Sequence, residues 1–364
     1  MKIPFVDLYA QYISIKTEID AAVSTTIKNS SYIGGQAVKD FEKAFAEFIG
    51  IDNVIACANG TDSLEILLQA YGIKKGDEVI VPALSWLSTS EAVSSVGATP
   101  VFVDIEKDFF TIDVNLIKKA ITKKTKAIIP VHLYGHPANM PVIMEIANEN
   151  NLIVIEDCAQ AHGAKINKQT VGTFGNAASF SFYPGKNLGA YGDAGCMATN
   201  DELIAAKVRM IANHGQKGKH NHVIEGRNSR LDGLQAAILS AKLPHLEKWT
   251  ETRISNAFIY DQLLQGSNLE LPLSKENYRH VFHLYVVRIS EREMLQKKLA
   301  LAGIETAIHY PTALPFLPCY ASKNYHHFEF PVAYSYQDKI LSLPMFAELS
   351  KEQINYIANN IFSA

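Results

Sequence analysis

Three short stretches, each placed just past an apolar run, carry the chemistry of this 364-residue chain. Lys186 follows the alternating, β-type run Ser179-Phe180-Ser181-Phe182-Tyr183, which breaks at Pro184-Gly185, and it precedes Gly189, Gly192 and Gly195. An amine held inside a protein loses hydration, so its pKa falls and the neutral, nucleophilic form becomes available. A loop lysine that snorkels to solvent fits the same stretch. Glu156-Asp157-Cys158-Ala159-Gln160 ends a second apolar run, 152–155. A carboxylate at the end of a buried strand is costly unless paired. A protonated pyridine nitrogen would pair with Asp157, and Gln160 could donate to a phenolate oxygen; a plain turn cap is the simpler use.

Asn59-Gly60-Thr61 follows a third run and opens a helix. Free N–H groups there, with the Thr61 hydroxyl, suit a phosphate, and Gly60 lets backbone come close. An ordinary N-cap reads the same way. Ser181 offers a second hydroxyl. Trp86, past Pro82-Ala83-Leu84-Ser85, offers a face for a flat heterocycle, or is a core aromatic. Taken together, a phosphate cradle, a stacking ring, an acid for a pyridinium and a lysine able to form an imine define one ligand, pyridoxal 5′-phosphate.

These residues sit at the ends of alternating elements. Strands are expected at 54–58, 78–81, 100–103, 126–131, 152–156, 178–182 and 195–199. Helices are expected at 15–29, 38–48, 61–71, 87–96, 113–121, 141–148, 202–212 and 231–243, the 61–71 helix with an Asp62/Glu65 capping box. Apolar strands alternating with helices predict an α/β fold with a mostly parallel sheet covered on both faces, whose strand ends hold the ligand. Near 245–250 the pattern changes to a long helix, a strand at 281–289, a helix at 291–302 with a Ser290/Glu293 box, a strand at 304–308 and a last helix opened by Ser350 and Gln353. That predicts a large domain over 1–247 and a smaller α+β domain over 248–364.

A net charge of −3 gives no reason to expect nucleic acid or an anionic membrane as partner. The N-terminus lacks a signal-peptide core and no run reaches membrane-spanning length, which points to a cytoplasmic protein. Cys57, Cys158, Cys196 and Cys319 are widely spaced, form no CxxC and no metal pattern, and read as reduced thiols. Asn59-Gly60-Thr61-Asp62-Ser63-Leu64 is not the G-x-G-x-x-G of a nicotinamide enzyme. Between His214 and Arg230 the chain carries Lys217, Lys219, His220, His222, Arg227 and Arg230 against one acid, Glu225, a loop suited to a diphosphate or simply a solvated one.

The runs Ala58-Asn59-Gly60-Thr61-Asp62-Ser63-Leu64, Glu156-Asp157-Cys158-Ala159-Gln160 and Ser181-Phe182-Tyr183-Pro184-Gly185-Lys186 resemble the DegT/DnrJ/EryC1/StrS sugar-nucleotide aminotransferases, and the likeness extends over essentially the whole chain. The resemblance implies the fold-type I, aspartate-aminotransferase-like architecture with a seven-stranded sheet. It implies that Lys186 binds pyridoxal phosphate as an imine, that Asp157 holds the pyridine nitrogen, and that Asn228 reaches the cofactor phosphate of a neighbouring subunit in a homodimer with composite sites. Members with histidine at the lysine position are dehydratases, so Lys186 argues for transamination. A non-catalytic regulator on this fold would be expected to lose Lys186 or Asp157. Ser85 to Glu91, His132 to Pro137 and Asn228 to Gln235 are most similar to 3-aminotransferases acting on dTDP-3-keto-6-deoxyhexoses with L-glutamate as donor and 2-oxoglutarate as product. Relatives acting on UDP-linked 3-keto uronic acids, or on 4-keto sugars, are the alternative. Candidate substrate contacts are Tyr183, His309 and Tyr310 for the hexose, with Lys217, His220 and Arg230 from the basic loop.

Overall fold

Alternation along each short strand decides which layer its side chains enter. The computed structural model describes residues 1–362. It contains β1 (Asn53–Cys57), β2 (Glu78–Pro82), β3 (Thr99–Val103), β4 (Thr125–Ile128), β5 (Ile153–Asp157), β6 (Lys165–Ile166), β7 (Gln169–Thr170), β8 (Ala177–Ser181) and β9 (Gly195–Thr199). Seven of these form one sheet in the order β1-β9-β8-β5-β4-β2-β3. β3, β2, β4, β5 and β8 are parallel neighbours, and β9 runs antiparallel to both β8 and β1.

Covering helices are α1 (Leu8–Ser14), α2 (Lys16–Lys28), α3 (Gln36–Ile49), α4 (Gly60–Ala70), α5 (Ser88–Ser95), α6 (Val114–Ala120), α7 (Met140–Asn150), α8 (Glu202–Ala212) and α9 (Gly233–Lys242). Val79 and Val81 enter a core with Leu64, Leu67, Ala92 and Val208 from α4, α5 and α8. Ile80, between them in sequence, packs on the opposite side with Ile117, Met140 and Ile143. Phe41 and Phe45 of α3 and Leu239 of α9 cover Val54, Phe180 and Ala198. Burial of each such side chain contributes about 1.5–3 kcal/mol.

The C-terminal part holds α10 (Leu246–Leu264), β10 (Tyr278–Arg279), β11 (Tyr285–Arg288), α11 (Arg292–Leu301), α12 (Pro331–Tyr336), β12 (Ile340–Leu343) and α13 (Lys351–Phe362). β11 and β12 pair antiparallel over a core of Tyr260, Tyr285, Leu299, Leu341 and Ile357. Ile3 joins that core, its N–H donating to Gly303 O at 2.8 Å.

Several expected elements shift. The helix expected over 15–29 is α2, and a further short helix, α1, precedes it with Asp7 as its cap. The strand at 304–308 is absent: Ile304 bridges to Ile3 and Ala307 to Ser342, so the segment is divided between two partners and builds no ladder. The strand at 281–289 shrinks to β11, because Val281 N–H is already bonded to Gly135 O at 3.0 Å. Asn59, not Asp62, caps α4, its Oδ1 accepting the Asp62 N–H at 2.8 Å. α11 has no side-chain cap bond, so the Ser290/Glu293 box does not form. The Ser350/Gln353 box does, at 2.9 and 3.2 Å.

Candidate active site

Six strands of the sheet point the same way, with β9 opposed to them, and residues at or just past the carboxyl ends of β1, β2, β5 and β8 meet in one cavity of about 690 Å³. Asn59, Gly60 and Thr61 enter it after β1, Trp86, Ser88 and Thr89 after β2, Asp157, Ala159 and Gln160 after β5, and Ser181, Tyr183, Lys186 and Asp193 after β8.

The loop from β8 to β9 presents Lys186. Phe182 N–H bonds Ala194 O at 2.7 Å and Ala190 N–H bonds Phe182 O at 2.8 Å, closing the loop at its base. A Cβ on Gly189 would meet Pro184 O at 2.2 Å, so only glycine passes there. Lys242 Nζ, buried in α9, donates to Gly189 O at 2.8 Å from outside the loop. Burial lowers the Lys186 pKa to about 8, with nearby Asp157 opposing the shift. Lys186 is half-buried and lines the cavity, which favours the reading as a desolvated amine over a lysine that snorkels away to solvent.

Asp157 is 6 % exposed. Its Oδ1 accepts the Ala159 N–H at 3.1 Å and its Oδ2 the Thr89 hydroxyl at 3.0 Å. Burial raises its pKa, and those two donors counter the rise. Among the described residues Asp157 and Lys186 form no ion pair, although both line the cavity. Thr89 carried no role in the sequence reading. Its signal was the hydroxyl run Ser85 to Ser90 at a strand-to-helix turn, where Ser85 and Thr89, one helical turn apart, bond each other at 2.8 Å.

Behind Asp157, Glu156 and His132 are wholly buried and 3.0 Å apart. Ala138 N–H donates to His132 Nδ1 at 2.9 Å, so Nε2 carries the proton that Glu156 accepts. Glu156 also accepts N–H groups from Gly172, Phe174 and Gly175 at 2.7–2.8 Å. Cys158 lies beside this pair, but the Glu156 and His132 atoms that could ligate a metal are already hydrogen-bonded. Glu156→Gln would set an NH₂ among these donors. It should destabilise the fold by about 3 kcal/mol, read as a lowered urea midpoint with the slope unchanged.

At the α4 end, a Cβ on Gly60 would stand 2.8 Å from Ser181 Cβ, so glycine allows α4 to seat against β8. The Thr61 hydroxyl is 2.7 Å from that of Ser88. Trp86 is 59 % exposed, with its ring centroid 5.4 Å from Tyr310. The segment 304–310, outside the main sheet, brings His309 and Tyr310 to the cavity. Gln160 Oε1 accepts the Tyr134 N–H at 2.7 Å and its Nε2 donates to Tyr310 Oη at 3.0 Å, leaving a second N–H on that nitrogen. His309 Nδ1 is 2.8 Å from Ser342 Oγ, and burial lowers its pKa to about 4.

Lys217, His220, Asn228 and Arg230 are exposed and lie outside this cavity in their own chain. Two members of the basic loop are already engaged. Arg227 pairs with Glu65, which takes it from a diphosphate, and His222 Nδ1 donates to His214 O at 2.7 Å.

A desolvated lysine, a buried carboxylate and a helix N-terminus around one cavity at parallel strand ends define the site class of a pyridoxal-phosphate enzyme. The model of the DegT/DnrJ/EryC1/StrS aminotransferase family matches residues 13–362. The chain is 45 % identical to a pleiotropic regulatory protein of Geobacillus stearothermophilus, over 99 % of this chain and 98 % of that one. It is 44 % identical to a UDP-N-acetyl-3-dehydro-α-D-glucosamine 3-aminotransferase of Acidithiobacillus ferrooxidans, over 99 % and 97 %. It is 40 % identical to a dTDP-3-amino-3,4,6-trideoxy-α-D-glucose transaminase of Streptomyces venezuelae, over 97 % and 93 %. The crystal structure of S. venezuelae DesV with a ketimine intermediate superposes with a TM-score of 0.97 at 39 % identity, covering 99 % of this chain and 97 % of that one. The protein belongs to the DegT/DnrJ/EryC1/StrS aminotransferase family. It is a sugar aminotransferase, and its cofactor is pyridoxal 5′-phosphate.

Proposed function

We propose that this enzyme transfers the amino group of L-glutamate to C3 of a dTDP-3-keto-6-deoxyhexose, as a cytoplasmic homodimer. The observation that carries the reaction is Lys186, its pKa depressed to about 8, sharing one cavity with the buried Asp157. The runs Ser85 to Glu91 and Asn228 to Gln235, with the S. venezuelae dTDP-sugar relative, support the substrate.

Bound pyridoxal phosphate supplies an aldehyde for covalent capture and a ring that takes up the electron pair of the bond broken at the amino-bearing carbon. Lys186 Nζ would hold the cofactor through its aldehyde carbon with loss of water and, once the donor's amine has taken its place, would carry the proton from the amino-bearing carbon. The Asp157 carboxylate, fixed by Thr89 and Ala159, presents a negative charge to the ring nitrogen. The N–H groups of α4, with Thr61 and Ser181, hold the phosphate. Trp86 would face the ring, and the second N–H of Gln160 would be available to the ring oxygen. Tyr183, His309 and Tyr310 face the hexose. Asn228 completes the phosphate site of the neighbouring subunit, and Lys217, His220 and Arg230 meet the substrate diphosphate there.

Only the neutral amine of Lys186 is reactive. Covalent uptake of the cofactor by cofactor-free enzyme should therefore speed up as pH rises and level off above about 8. Stopped-flow absorbance measures this; an inflection near 10 would mean a solvated lysine.

The 44 % identical A. ferrooxidans relative favours a second reading, a UDP-linked 3-keto substrate. The test runs the reaction in reverse. The enzyme is given dTDP- and UDP-linked 3- and 4-amino sugars with 2-oxoglutarate, and products are read by mass spectrometry. Loss of the amine from a dTDP-3-amino-6-deoxyhexose is the expected result; turnover of UDP substrates alone supports the second reading. A regulator without catalysis, suggested by the name of the G. stearothermophilus relative, predicts a colourless protein that added pyridoxal phosphate leaves unchanged. The enzyme predicts a yellow protein bleached by glutamate.

A further inference from the structure

Asn228 stands between two residues that are tied to the cofactor end of its own subunit. It forms a single antiparallel bridge with Asn213. Arg227 N–H donates to Ile211 O at 2.8 Å and Ser229 N–H to Ala212 O at 2.9 Å, both at the end of α8. The Ser229 hydroxyl, wholly buried, accepts the N–H of Ala58 at 3.2 Å, one residue before the cap of α4. The guanidinium of Arg227 pairs with Glu65 on α4. Along an extended backbone successive side chains point to opposite sides. With Arg227 and Ser229 both bound inward, Asn228 is aimed outward, and it is exposed.

Glu65 is the junction. Its side chain is 15 % exposed and that of Arg227 35 %. Its other oxygen, Oε1, accepts the Ser95 hydroxyl at 2.6 Å. Ser95 ends α5, whose first residues, Ser88 and Thr89, bond Thr61 and Asp157. One carboxylate thus joins α4, α5 and the strand carrying Asn228.

We propose that Glu65 and Arg227 are positioning residues that lock this strand to the α4 turn, so that the cofactor site of one subunit sets the reach of Asn228 into the other. The proposal rests on the cross-subunit role of Asn228 stated above. The pair acts through Asn228 and touches neither cofactor nor substrate. It also explains why Arg227, alone among the arginines and lysines of the 214–230 loop, makes an ion pair among the described residues.

The test compares Arg227→Ala, Glu65→Gln, Arg227→Lys and Asn228→Ala as purified full-length enzymes. Cofactor affinity is read by absorbance titration after stripping. Arg227→Ala and Asn228→Ala should each weaken affinity on the order of tenfold, Glu65→Gln should weaken it in the same direction, and Arg227→Lys should recover most of the loss. A wild-type affinity for Arg227→Ala while Asn228→Ala is weakened overturns the positioning role. A wild-type affinity for Asn228→Ala overturns the cross-subunit reading beneath it. The second arm uses mixed dimers of a Lys186→Ala subunit and an Arg227→Ala subunit, isolated with two affinity tags. Their one live lysine lies in the Arg227→Ala subunit and receives an intact strand from the other. Activity well above that of the Arg227→Ala homodimer supports the proposal. Activity no higher than that homodimer places the effect of Arg227 inside its own subunit and overturns it. Glu65→Gln replaces Arg227→Ala in both arms if the latter does not fold.

Discussion

Lys186→Ala will lose amino transfer by a factor on the order of 10⁴ while still taking up pyridoxal phosphate, now released by dialysis. The reason is local. The cavity holds one lysine amine, half-buried in a closed loop, and burial brings its pKa to about 8. Among the residues lining the cavity, the others able to accept a proton near neutrality are few. Asp157 is committed to Thr89 and Ala159, and His309, lowered to about 4, is a weak base bonded to Ser342. Lys186→Arg is the control: it keeps a cation but cannot be deprotonated. Single-turnover formation of 2-oxoglutarate from L-glutamate measures both. Appreciable turnover by the alanine variant would sink the assignment.

Asp157→Asn will lower kcat by about 10³ with a far smaller loss of cofactor affinity. The amide keeps the volume of the carboxylate: its oxygen can still accept the Ala159 N–H, and its NH₂ can donate to the Thr89 hydroxyl. What it lacks is charge, in a site where water is largely excluded and charge is weakly screened. The expected signature is a fall in kcat and kcat/KM together, and Asp157→Glu is not expected to rescue it, because a longer side chain would displace the Thr89 contact. An unchanged kcat would mean that Asp157 only caps its turn.

The alternation of strand and helix was legible because the main-sheet strands are short apolar runs, and three of them, β1, β5 and β8, end in or lead into a chemically unusual residue. Gly60, Asp157 and Lys186 announced themselves that way, and all three line the cavity. Thr89 did not, since a hydroxyl in a hydroxyl-rich turn looks like any other until the fold puts Asp157 3.0 Å away. The strand expected at 304–308 failed for a related reason. Ile304 to Ile308 has the right residue types, but a ladder needs one partner, and here Ile3 and Ser342 each take one position. Asp62 and Glu65 had the spacing of a capping box, yet Asn59 lies three residues earlier and takes the cap, which frees Glu65 for Ser95 and Arg227. The basic loop read as a patch of equivalent charges; burial of the flanking contacts is what separates Arg227 from its neighbours.

The order of strands has a consequence for how the chain is made. β1 touches only β9 in the sheet, and that partner is more than a hundred residues downstream. During synthesis β1 can rest on α3 but has no sheet partner until Gly195 has left the ribosome, on the order of ten seconds later. The nascent chain must therefore carry an unpaired apolar strand while the whole segment from Cys57 to Gly195 is made. The phosphate pocket, built where that strand finally docks, can form only after Gly195 is made, and His309 and Tyr310, more than a hundred residues further on, close the cavity later still.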